Sequence, residues 1–103
     1  MRMLDKLEAA ENRYEELTQR LTEPDVATSR ETYGRLLQEH AELSEIVEAY
    51  RLYKKCTEER DSARAMLDGT LEPDFRELVQ QEYAEKTEER QVLERRLKLL
   101  LTP

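Results

Sequence analysis

The chain has 103 residues, 38% apolar and 40% charged, with a formal charge of −7. That balance suits coiled-coil-like helices and leaves too little apolar surface for a thick globular core. The acidity argues against autonomous binding to nucleic acid, and no run approaches the roughly 20 apolar residues that a membrane span needs.

Charge is spread evenly along the sequence, with 4 basic and 5 acidic residues over 1–21, 7 and 9 over 29–68, and 6 and 8 over 69–103. Arg95, Arg96 and Lys98 form a short basic cluster, placed to complement the dipole of a helix end. The single cysteine, Cys56, has no internal partner for a disulfide and reads as a small core filler. The opening Met1-Arg2-Met3-Leu4-Asp5 lacks the apolar centre of a signal peptide, so a cytosolic protein is expected.

The first predicted helix spans about 3–21, with Met3, Leu7, Ala10, Tyr14, Leu17 and Leu21 on one stripe. Pro24 ends it, because proline cannot continue a helix and biases Glu23 away from the α region. The second predicted helix, about 29–68, is announced by a Thr28-x-x-Glu31 capping box and closed by Gly69 as a left-handed cap. Its stripe begins as Tyr33, Leu36, His40, Leu43, Val47 and Tyr50. Ile46, Ala49 and Tyr53 then open an offset stripe that continues through Cys56, Arg60, Ala63 and Leu67, so the helix changes packing partner along its length. Gly34, inside this helix, reads as tolerated near the helix end rather than required by close packing. The third predicted helix spans about 73–101, with Pro73 at its first position. Val79, Tyr83, Lys86, Arg90, Leu93, Leu97 and Leu100 form its stripe, with Phe75 and Leu78 beside it.

These elements predict an all-α fold: an antiparallel three-helix bundle or coiled coil with a long central helix and a projecting two-helix arm. Aligning the turns pairs position n of the central helix with about 54 − n on the first helix and about 142 − n on the third. Leu4, Leu7, Leu43, Ile46, Val47, Tyr50, Leu93, Leu97 and Leu100 are the expected three-helix core. Beyond Tyr53 the seam includes Arg60, Lys86 and Arg90, expected with packed stems and solvated heads, and this arm should be the less stable part. No catalytic, cofactor or metal constellation is legible. His40 lies on an apolar stripe with no second ligand at metal spacing and reads as a packed or edge residue.

Several segments, in order and spacing, carry a resemblance covering the whole chain: Met3-Leu4-Asp5-Lys6-Leu7-Glu8, Tyr14-Glu15-Glu16-Leu17, Glu23-Pro24-Asp25-Val26, His40-Ala41-Glu42-Leu43, the run from Ile46 to Lys55, Arg64-Ala65-Met66-Leu67 and the closing Leu97 to Pro103. The chain resembles the amino-terminal, PCRF-type domain of the bacterial release factor 1 family. Leu100-Leu101-Thr102-Pro103 departs from the family's closing pattern, and Cys56 and Gly34 are unusual for it. The resemblance implies a protein that enters the ribosome at UAA and UAG stop codons and triggers peptidyl-tRNA hydrolysis. The family's Gly-Gly-Gln and Pro-x-Thr tripeptides are absent from these residues, so the chain reads as an excised, non-enzymatic accessory domain.

The resemblance further implies contact with the stalk base of the large ribosomal subunit. The expected contacts are Asp68, Gly69, Thr70 and Leu71 at the hairpin turn, flanked by Arg64 and Arg76. The competing reading is a free-standing coiled-coil adaptor or dimerisation unit, and the apolar stripes leave self-association open.

Overall fold

The computed structural model describes residues 2–103 as an all-α protein. Four helices follow in order: α1 (Met3–Arg20), α2 (Pro24–Ala27), α3 (Arg30–Leu67) and α4 (Pro73–Leu101). The sequence pattern predicts three; the fourth, α2, is a single turn in the segment expected as a plain connection. Pro24 supplies the fixed φ of its first position, and Val26 is buried at 2% exposure. The chain divides into two compact units, Met1–Glu48 and Ala49–Pro103, and α3 runs through both. Among the described residues no helix is long and apolar enough to cross a membrane.

In the first unit, α1 buries the stripe its spacing foretold, with Leu7 and Leu17 fully inside. Leu17, Val26 and Leu36 form a cluster, with Leu21 and Leu43 packed against it. Each such side chain contributes about 1.5–3 kcal/mol by leaving water. Polar contacts set the register: Arg13 Nε and Nη2 donate to the Glu39 carboxylate at 2.6 and 2.9 Å, and Tyr14 stacks on His40 with centroids 4.1 Å apart. These pairs obey the expected 54 − n rule closely. The Thr18 hydroxyl donates its one proton to the Tyr14 carbonyl, so its 2.9 Å contact with His40 Nε2 takes the proton from the ring. His40 is thereby a packing and hydrogen-bonding residue, as its place on the stripe suggested.

Both expected caps of the central helix are corrected. Thr28 has helical φ and ψ as the C-cap of α2, and its hydroxyl donates to the Asp25 carbonyl, so it cannot be the extended N-cap of α3. Ser29 takes that place, its Oγ accepting from the Thr32 amide at 3.4 Å. Gly69 has no positive φ, so no left-handed cap ends α3. Two further residues fall outside their expected positions: Leu4 is 51% exposed and Tyr33 37% exposed.

In the second unit, the α3 residues Ala49, Tyr50, Tyr53, Cys56 and Ala63 and the α4 residues Val79, Leu93 and Leu97 are buried. The offset stripe is therefore real. Cys56 Sγ reaches the Lys86 carbonyl at 3.2 Å, matching the 142 − n rule. Lys86 bridges Glu59 and Glu89 at 3.5 and 3.4 Å. Arg90 does not send its head to solvent as expected: Nε donates to Thr57 Oγ1 at 2.9 Å and Nη2 to Tyr53 Oη at 2.6 Å, with the guanidinium 4.8 Å from the Tyr53 ring centroid.

A Cβ at Gly34 meets nothing within 4 Å, so Gly34→Ala should stabilise the protein by about 0.5–1 kcal/mol, read as a raised melting temperature. Hydrogen bonding from Arg13 is the first cause holding the Glu39 carboxyl below its ordinary 4.5. The pair's contribution is complete above that value and is lost as pH falls through the lower folded value. Glu39→Gln should therefore flatten the acid limb of a stability-against-pH curve.

Candidate functional site

The turn joining α3 to α4 holds Asp68, Gly69, Thr70 and Leu71, with Arg64 in the last turn of α3 and Arg76 in the first turn of α4. Pro73 stands at the first position of α4 and Asp74 in its first turn, where the helix dipole favours an acid. At the other side α3 tightens as it stops, the Asp68 amide donating to the Ala65 carbonyl at 3.2 Å and the Gly69 amide to the Met66 carbonyl at 3.1 Å.

Arg76 closes this turn. Its Nη1 donates to the Leu67 carbonyl at 3.1 Å and its Nη2 to the Gly69 carbonyl at 2.7 Å. A cation at the negative end of the α3 dipole satisfies carbonyls that a left-handed glycine cap would otherwise serve. This is the physical reason Gly69 needs no positive φ. It also divides the six residues by role: Arg76 is half-buried and committed to the turn, whereas Arg64, Asp68, Gly69 and Thr70 are exposed and Leu71 is half-buried. Arg64 and Asp68 form an exposed pair at 3.9 Å, too long and too solvated to order the surface strongly.

Sequence reasoning missed the apolar part of this surface. Phe75 and Leu78, expected beside the α4 stripe, are 46% and 62% exposed, and Met66 is 39% exposed. Leu78 directly precedes Val79, so it points about 100° away from the buried stripe, an offset that the helical period makes visible. The surface thus mixes a cation, an acid, a hydroxyl and large apolar side chains. That suits macromolecular contact and supplies no nucleophile and base in register. The only cysteine is buried, and burial is the main cause raising its thiol above the ordinary value, which disfavours a reactive thiolate. Among the described residues no cluster of His, Cys, Asp and Glu could hold a metal ion.

The PCRF domain family matches residues 10–103. The chain is 46% identical over 101 residues to peptide chain release factor 1 of Carboxydothermus hydrogenoformans, covering 98% of this chain and 28% of that protein. It is 43% identical over 101 residues to peptide chain release factor 1 of Geobacillus kaustophilus, with the same coverage. Against peptide chain release factor 1 of Alkaliphilus oremlandii the identity is 41% over 102 residues, covering 98% of this chain and 29% of the relative. The chain therefore spans between a quarter and a third of the length of these curated relatives. No solved structure matches it.

Arg76→Ala should cost about 1–2 kcal/mol, because two charge-assisted hydrogen bonds to half-solvated carbonyls are removed. Amide exchange should accelerate first at Asp68 and Gly69. Gly69→Ala should be neutral to within about 0.5 kcal/mol, since its Cβ would make only an ordinary 3.5 Å contact with the Met66 carbonyl.

Proposed function

The chain belongs to the PCRF domain family, and from that membership we propose that it acts in translation termination as a helical contact domain within a longer peptide chain release factor. The observation that carries this reading is identity of 41–46% to proteins named peptide chain release factor 1 over 98% of the chain. Similarity to release factor 1 in particular favours termination at UAA and UAG. Such work is done on the ribosome, in the cytoplasm.

The role assigned to the domain is contact rather than chemistry. Its one histidine is stacked on Tyr14 and its one cysteine is packed against the Lys86 carbonyl, so both reactive side chains are occupied in holding the fold. The α3–α4 turn is its contact surface, directed to the stalk base of the large ribosomal subunit. Arg64, Asp68 and Thr70 provide the polar part of that surface, and Met66, Phe75 and Leu78 the apolar part; Arg76 and Gly69 hold the turn that displays them.

Two measurements test the reading. Peptidyl-tRNA hydrolysis by the purified chain at any stop codon should stay at background; release above background would move chemistry into these residues. Arg64→Glu combined with Leu78→Glu changes two exposed side chains and leaves the turn's hydrogen bonds intact. It should preserve helicity and weaken association with terminating ribosomes, largely through slower encounter. Unchanged binding rate and salt dependence would exclude the turn as the contact surface.

A further inference from the structure

In the first unit, α3 carries a second apolar line that the fold leaves uncovered. Leu36 and Val47 are buried there and His40 and Leu43 half-buried, so the stripe that packs within the unit occupies about 60° of the helix circumference. Counting about 100° per residue from Leu36, Tyr33 lies at about 60°, Leu37 at about 100° and Ala41 at about 140°, a line running along the flank of the buried stripe. Its members stay in water. Tyr33 is 37% exposed and Leu37 45% exposed, and Ala41 is exposed as well. Their i, i+4 and i+8 spacing is that of a helix face prepared for another helix, and nothing in the first unit takes that place.

Opposite charges close the two ends of this line. Arg30 and Glu48 are exposed, and on the same count both lie at about 120°. The face therefore reads cation, tyrosine, leucine, alanine, acid over about 27 Å of helix, at roughly 1.5 Å per residue. Reversed end for end, it is its own complement. Setting position n against 78 − n brings Arg30 to Glu48 and Leu37 to Ala41, a large side chain against a small one, and Tyr33 falls beside Ser44. In a parallel pair Arg30 would meet Arg30 and Glu48 would meet Glu48, so the charges select the antiparallel arrangement.

We propose that this face of α3, from Arg30 to Glu48, is a docking surface for a second copy of the chain, joined antiparallel about a two-fold axis. An isologous pair uses every contact twice, so two Arg30–Glu48 ion pairs flank an apolar centre built from Leu37 and Ala41 of both chains. A different partner would have to supply this order of charges in its own sequence, whereas a second copy already carries it. Two helices touching over about 27 Å bury on the order of 1,000 Å² in total, the low end for a specific interface, so a weak dimer with a dissociation constant of about 0.1 mM is expected. The exposed ion pairs fix orientation more than they add affinity. The inference stands apart from the ribosomal reading, whose contact surface is the α3–α4 turn, and either can fail without the other.

The test is sedimentation equilibrium of the 103-residue chain under reducing conditions, from about 10 μM to about 1 mM, a range that brackets the expected constant tenfold on each side. The chain should pass from monomer to dimer across it. Leu37→Glu should keep helicity, because the side chain it replaces faces solvent, and should remain monomeric throughout. Arg30→Glu and Glu48→Arg should each weaken the dimer by about threefold or more, and the two combined should restore it to within about twofold, because the exchanged charges pair again. Val92→Glu, at an exposed apolar position of the second unit, should leave the dimer unchanged. A monomer at every concentration, a dimer insensitive to Leu37→Glu, a dimer abolished by Val92→Glu, or no recovery in the combined charge reversal would overturn the proposal.

Discussion

A single continuous helix that must bury two different stripes is the constraint on which this protein depends. The 38 residues of α3 carry Leu36 and Leu43 toward α2 and the end of α1 in the first unit. In the second unit they carry Tyr53, Cys56 and Ala63 in a buried stripe offset from the first. No single face of a straight helix could serve both sets. The shift occurs across Ile46 to Tyr50, where Ile46, Val47, Ala49 and Tyr50 are all buried and the apolar surface widens from a narrow seam to most of one side.

Apolar stripes of this kind specify that helices pair but not strongly how far along they pair, because Leu fits nearly as well one turn away. Polar contacts supply the missing information in each unit. Arg13 on Glu39 and Tyr14 on His40 index α1 against α3, and Arg90 on Tyr53 and Thr57 indexes α3 against α4. A displacement of one turn would separate these groups, and in the second unit it would leave the half-buried Arg90 donors unpaired at a cost of about 1–3 kcal/mol. The short turn clamped by Arg76 acts in the same direction. Register, once fixed, decides which side chains become neighbours, and in the α3–α4 hairpin it produces the mixed surface at the turn.

Element type and extent were legible in the sequence because helical period and prolines are local signals. The three long helices lie within one residue of their expected ends, and the pairing rules of 54 − n and 142 − n are met by Tyr14 with His40 and Cys56 with Lys86. What escaped was non-local. The capping box at Thr28 satisfied a sequence pattern, but Thr28 was claimed by the preceding turn. The glycine cap at Gly69 was displaced by Arg76, seven residues away in sequence. Phe75 and Leu78, read as flanking the α4 stripe, are left exposed because the buried stripe passes through Val79. The spacing places Arg64 and Arg76 on either side of the turn 68–71, but only the folded geometry shows that Arg76 holds the turn while Arg64 stays exposed.

The register of α3 against α4 underlies everything built on the hairpin, and side-chain NOE measurements on the chain in solution test it directly. Contacts between the Tyr53 ring and the Arg90 side chain are expected, together with contacts from Cys56 to the backbone around Lys86. A pattern displaced by a turn, with Tyr53 meeting Lys86 or Glu94 instead of Arg90, would contradict the register and with it the account of the hairpin.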